Sequence, residues 1–231
     1  EGEICYIAME RVLGQPISQW GRSRFGKWRV LSRVLVQVSR ALHHAHERGI
    51  LHRDLKPRNI LVDREGRPQL LDFSLSCLLR DRSDSGEEPL NIIGTPSYMS
   101  PEQVEGRVED LDVRSDLFSL GVVMYEVLTG RLPFEGDSIG VLFGEIREKE
   151  PAPMVGVPEE LSRICLRALE KSPEDRYQKA WHLSADLDRY LEAGTRSFLR
   201  KRVEGAVKKV RIFFGGNAET PSGHPFSFPL P

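Results

Sequence analysis

Asp54, Lys56 and Asn59 stand within six residues of one another, in His52-Arg53-Asp54-Leu55-Lys56-Pro57-Arg58-Asn59. A second carboxylate follows thirteen residues after Asn59, in Asp72-Phe73-Ser74, and Gly94-Thr95-Pro96-Ser97-Tyr98-Met99-Ser100-Pro101-Glu102 comes later. A carboxylate can orient a hydroxyl and take its proton. An ammonium beside it can offset negative charge gathering on a moving group. A carboxamide oxygen and a further carboxylate are hard donors that suit magnesium. The set suits phosphoryl transfer, which asks for positioning and charge stabilisation more than for covalent chemistry.

These residues need a scaffold. Ile4 to Val12 reads as a strand, broken by Gly14-Gln15-Pro16. From about Lys27 to Arg48, apolar residues recur at Val30, Leu31, Val34, Leu35, Val38, Leu42 and Ala45. Spacings of three and four predict an amphipathic helix, and Gly49 sits where a terminating glycine belongs. The apolar pairs and triplets Ile50-Leu51, Ile60-Leu61-Val62 and Leu70-Leu71, parted by polar turns such as Asp63 to Pro68, predict short hairpin strands. The polar stretch Arg80 to Pro89 reads as a surface loop. Helices are expected near Ser115–Thr129, Ser138–Lys149, Glu159–Leu169 and Ala180–Ala193. The second half of the chain is therefore helical, and the whole reads as an α+β fold, mainly α. Leu117 to Leu128 is apolar nearly all round and too short to span a bilayer, which takes about 20 residues. It predicts a buried core helix.

Composition narrows the field. The 231 residues carry a formal charge of −1, which favours neither nucleic acid nor an anionic membrane. Cys5, Cys77 and Cys165 are scattered singly, so neither a thiolate metal site nor a disulfide framework is expected. That usage, and the lack of a signal peptide, point to the cytoplasm. His43, His44 and His46 fall within one helical turn, but only His43 and His46 share a face, and metal binding is not expected. From about Gly194 the chain turns basic, with Arg196, Arg200, Lys201, Arg202, Lys208 and Lys209 against Glu204, and past Phe214 it is rich in Gly, Pro and Ser. This tail, 194–231, reads as disordered. Its basic part is either a solvated linker or a link to a membrane or a further domain.

The ordered motifs from His52 to Glu102 resemble those of eukaryotic-type serine/threonine protein kinases, with a bacterial flavour in His46-Glu47-Arg48-Gly49-Ile50 and Gly94 to Gln103. The resemblance runs from about Ile4 to Leu191. It implies transfer of the ATP γ-phosphoryl group to Ser or Thr hydroxyls of proteins, with ATP and Mg2+ as cofactors. It implies Asp54 as the residue that orients the hydroxyl and accepts its proton, and Lys56 as the cation beside the γ-phosphate. Asn59 and Asp72 would hold magnesium, Leu61 would pack beneath adenine, and Met9, Glu10 and Val12 would form the hinge at the adenine edge. Arg53 would meet a phosphate on the activation segment, with Ser76, Ser83, Ser85 and Thr95 as acceptors; Thr95 fits the substrate site better. Glu102 and Arg176 would form a buried ion pair, Asp116 would hold the catalytic-loop backbone, and His52 and Phe73 would be core residues.

Two departures stand out. No glycine-rich loop, strand lysine or helix glutamate can be placed, and the sequence starts at Glu1 rather than Met. Residues 1–193 are therefore expected to hold the hinge and the helical C-lobe, with short hairpins carrying the catalytic and metal-binding loops, and the N-lobe lost by truncation. Ser74 replaces the usual glycine, which narrows the backbone options there without removing Asp72. A catalytically inactive scaffold module is the alternative, but it has no chemical need for Asp54, Lys56, Asn59 and Asp72 together. A small-molecule phosphotransferase would account for His52, Asp54 and Asn59 but not for Gly94 to Glu102 or Arg176.

Overall fold

The computed structural model describes residues 11–73 and 96–194. The chain divides into two compact units, Glu1–Leu191 and Glu192–Pro231. The first is mostly helical, with one small three-stranded sheet.

It opens with β1 (Gln15–Pro16), α1 (Ile17–Arg22) and the long α2 (Trp28–His46). The apolar stripe of α2 is buried at Leu31, Val34, Leu35, Val38, Leu42 and Ala45. Ser32 and Ser39, also buried, donate to the carbonyls of Trp28 and Leu35 at 2.8 Å each, which satisfies both hydroxyls within the helix. The helix stops in a paired turn. Gly49 N–H donates to His46 O and Ile50 N–H to Ala45 O, with Gly49 at φ 72°. That left-handed geometry suits a glycine.

A 3-10 turn, Pro57–Asn59, feeds β2 (Ile60–Val62), which pairs antiparallel with both β1 and β3 (Pro68–Leu70). Two expectations need correction here. Gly14-Gln15-Pro16 does not simply break a strand: Gln15 and Pro16 pair with Val62 and Leu61. Proline is tolerated because β1 is an edge strand. Ile50-Leu51 is not a strand: Ile50 makes only an isolated bridge, and its amide is used in closing α2. Residues 11–14 are irregular, and the rest of the strand expected from Ile4 lies outside the described residues.

After a 3-10 turn at Pro96–Tyr98 come α3 (Pro101–Val104), a further turn at Val108–Asp110, α4 (Val113–Thr129), α5 (Ile139–Glu148) and α6 (Glu159–Ala168). A last helix, α7, begins at residue 180 and runs through the end of the unit. The Asp112 carboxylate accepts from Arg114 N–H at 2.7 Å, so α4 starts two residues earlier than its apolar pattern suggests. It is buried on every face from Ser115 to Tyr125 and packs against α1, α2 and α6. Among the described residues no helix is long and apolar enough to cross a membrane.

Two contacts show how tightly the helices are set. Lys171 Nζ donates to Ile146 O at 2.7 Å near the end of α5 and lies 3.8 Å from the centre of the Phe134 ring. Burial lowers the pKa of this ammonium to about 8. At the crossing of α4 and α6, a Cβ on Gly121 would stand 3.0 Å from the Ala168 Cβ. Gly121→Val should therefore force the two helices apart and destabilise the chain by about 1–3 kcal/mol. A lower urea midpoint at unchanged m-value would show it; an unchanged midpoint would mean the crossing has slack.

Candidate active site

The segment from Leu51 to Asn59 has almost no secondary structure of its own. Leu51 and Leu55 anchor it, each 1% exposed, and His52 is fully buried between them. Arg53 takes φ 64°, a left-handed conformation that costs about 1–3 kcal/mol for a residue other than glycine. That conformation is held by side chains from distant helices. The Asp116 carboxylate, in the first turn of α4, accepts the amides of His52 and Arg53 at 2.8 Å each. Gln103 of α3 donates to the Arg53 carbonyl at 3.0 Å. Both polar groups of the Arg53 backbone are thus tied to the helical core.

Asp116 has a third partner, His46 Nε2, at 2.8 Å. A carboxylate that already receives two amides can only accept, so Nε2 carries the proton in this contact. His46 thereby links the end of α2 to the start of α4. The sequence reading set aside a metal role for this histidine and gave it no hydrogen-bond partner. The available signal was its place on the apolar face of α2, next to Ala45 and one turn from Leu42, where a buried polar group needs a partner. No group of three or more metal-ligating side chains gathers among the described residues.

The backbone so fixed brings three of the candidate residues into contact. Lys56 Nζ lies 2.5 Å from Asp54 Oδ2. Asn59 Nδ2 donates to the Asp54 carbonyl at 2.8 Å and reaches Asp54 Oδ2 at 3.3 Å. The Asp54 and Lys56 side chains are only 10% and 20% exposed, so the pair is shielded but reachable. The residue before Asp72 is tied to the backbone of this group. Leu71 N–H donates to Asn59 O at 2.8 Å, and His52 Nε2 donates to Leu71 O at 3.0 Å. The His52 ring rests against Phe73, centroids 4.7 Å apart. Asp72 itself is exposed and has φ 61°, the second left-handed residue of the site that is not glycine. Leu61 is half-buried in the middle of β2, and Val12 is half-buried in the irregular stretch before β1. Met9, Glu10 and Thr95 lie outside the described residues, as do Ser74, Ser76, Ser83 and Ser85.

Arg176 and Glu102 meet deeper in the helical part, 0% and 1% exposed. Two parallel bonds of 2.8 and 2.9 Å join guanidinium and carboxylate. The remaining N–H groups of Arg176 donate to the carbonyls of Glu170, Arg114 and Lys171, so all five donors are used. Ser115 Oγ donates to Glu102 Oε1 at 2.7 Å. Burial pushes the Glu102 carboxyl up, but the hydrogen bonds and charge of Arg176, with Ser115, outweigh it and hold it below its ordinary value. The pair steadies α3, the helix that presents Gln103 to Arg53. Tyr98 joins the same region to α4 by donating to Glu126 at 2.7 Å. Burial, followed by that carboxylate, pushes its hydroxyl up and keeps it protonated.

A depressed carboxyl contributes stability that is present above its unfolded pKa, about 4.3, and lost as pH falls through the lower folded value. Glu102→Gln should strand the buried guanidinium and cost about 3–5 kcal/mol. It should also flatten the acid limb of a stability–pH curve measured by urea unfolding. A double change, Glu102→Gln with Arg176→Met, should recover part of the loss; a variant as stable as the parent at pH 7 would contradict the account.

Comparison with known proteins identifies the family. The family model described as protein kinase domain matches residues 1–185. A probable serine/threonine-protein kinase of Streptomyces coelicolor is 38% identical over 196 residues, covering 82% of this chain and 28% of the relative. The serine/threonine-protein kinases PknB of Mycolicibacterium smegmatis and Mycobacterium tuberculosis are 40% and 41% identical, covering 69% and 68% of this chain. The chain spans about a quarter of the length of the curated relatives it matches, 25–28% in these three. A match across most of its residues, to a domain model and to bacterial relatives alike, places the chain in the protein kinase domain family, among its bacterial-type serine/threonine members.

Proposed function

We propose that this chain carries the helical C-lobe of a protein serine/threonine kinase, residues 1–193, and that it transfers the γ-phosphoryl group of ATP to Ser or Thr hydroxyls of a protein. The observation that supports it most is the contact among Asp54, Lys56 and Asn59 on a backbone held by Asp116. In this reading Asp54 orients the acceptor hydroxyl and takes its proton. Lys56, with its ammonium 2.5 Å from that carboxylate, offsets charge gathering on the transferred group.

The donor set fits a hard cation. Asn59 spends its Nδ2 on Asp54, which leaves Oδ1 as the amide atom available to an ion, and the exposed Asp72 would add carboxylate oxygens. Magnesium held by these oxygens would neutralise phosphate charge. Leu61, and the stretch with Met9, Glu10 and Val12, would receive adenine. Thr95 would serve the substrate side.

Arg53 supports a reading of control. Its backbone is fully tied, yet its buried Nε has no partner among the described residues. A phosphate on Ser76, Ser83 or Ser85 would supply charge-assisted bonds at this cation. The basic part of 194–231 would link the domain to a membrane or to another domain.

Asp54→Asn keeps the shape of the side chain and removes the base. In the full-length protein that contains this chain, transfer to a Ser/Thr peptide, followed with labelled ATP, should fall by about 10²–10⁴-fold, with the melting temperature unchanged. Transfer at the parent rate would overturn the role given to Asp54.

A further inference from the structure

The first turn of α3 meets the candidate active site through one carboxamide. Gln103 Oε1 accepts the Ser100 amide at 2.9 Å and the Ser100 hydroxyl at 3.2 Å, while Nε2 donates to the Arg53 carbonyl at 3.0 Å. A backbone N–H can only donate and a backbone C=O can only accept, so the carboxamide fits in one orientation. Its oxygen faces Ser100 and its nitrogen faces Arg53. A glutamate would serve the first contact equally well, since a carboxylate at this position completes the start of a helix. It would fail at the second, because an ionised carboxylate has no hydrogen to give. Helix capping therefore does not call for glutamine here; the bond to Arg53 does.

The two contacts belong to different parts of the site. Ser100 is fully buried and ends the stretch that follows Thr95, the residue given to the substrate side. That stretch is pinned to α4, where Ser119 Oγ donates to Tyr98 O at 2.7 Å. Arg53 adjoins Asp54. Its amide is held by Asp116, but its carbonyl is held by Gln103. That carbonyl lies in the rigid peptide plane that joins Arg53 to Asp54. A tilt of the plane redirects the Asp54 side chain.

We propose that Gln103 is a positioning residue that couples the substrate-side stretch to the catalytic loop. With α3 in place, the Arg53–Asp54 peptide is fixed and the Asp54 carboxylate is aimed. With α3 displaced, the peptide is released and the base loses its aim. The inference rests on the kinase reading and extends it: a disturbance of residues 96–100 reaches the base through α3.

Gln103→Glu keeps the acceptor and removes the donor. In the full-length protein that contains this chain, kcat for a Ser/Thr peptide should fall about ten- to hundredfold, with KM for ATP and the melting temperature unchanged. Amide hydrogen exchange should quicken about three- to tenfold at Asp54 and Leu55 and keep the parent rate in α3. Gln103→Met removes both ends without adding charge. It should lose kcat to the same degree and also quicken exchange in α3. A capping role alone predicts a normal Gln103→Glu and an impaired Gln103→Met. Parent kcat in Gln103→Glu, unchanged exchange at Asp54 and Leu55, or a melting temperature that falls in step with kcat would each overturn the proposal. Exchange involves no phosphoryl transfer, so a parent that transfers nothing would count against the kinase reading while exchange still decides the link.

Discussion

A single buried carboxylate governs the geometry of this domain's chemistry. Asp116 is 2% exposed and receives two loop amides and one imidazole. Taking a carboxylate out of water is costly unless its lone pairs are used, and here they are used by the loop that needs shaping. The left-handed turn at Arg53 is the result. Strands of two or three residues could not impose that turn by ladder bonds, because a sheet this small is marginal by itself. Precision comes instead from side chains of the helical core that bond to backbone atoms of the loop.

The second buried ion pair works at one remove. Glu102 and Arg176 do not touch the cluster of Asp54, Lys56 and Asn59. They set α3, α3 sets Gln103, and Gln103 fixes the Arg53 carbonyl. A buried pair of this kind is weak evidence for added stability, because desolvation opposes the attraction. Its five satisfied donors indicate a different role, that of fixing where four separate stretches of chain must lie.

What could be read from the sequence follows the range of the interaction concerned. α2 and its closing glycine are local patterns, and their reading matches the structure closely. The apolar circumference of α4 likewise announced a core helix. The contacts of Lys56 and Asn59 with Asp54 span two and five residues, so their meeting is nearly implied by their spacing. β1 was missed because a glycine and a proline one residue apart signal a turn, and only pairing with β2 makes it an edge strand. Ile50 was misread because its amide was already taken by the preceding helix end. The bonds of Asp116 to His52 and Arg53 reach across 64 and 63 residues. No local pattern reports such a tie; only likeness to a family suggested it. The bonds made by Gln103 and His46 were not foreseen, since a glutamine in the first turn of a short helix reads as surface and a partner 70 residues away leaves no local pattern around the histidine.

The division of labour at Arg53 has a consequence for engineering. Transplanting residues 52–59 into another scaffold would carry the reactive groups but none of the forces that shape them. The portable module is discontinuous: the loop, His46 at one helix end, Asp116 at the start of another, and Gln103 at the Arg53 carbonyl. A host protein would have to offer all three anchors in register before the grafted segment could hold its inverted turn.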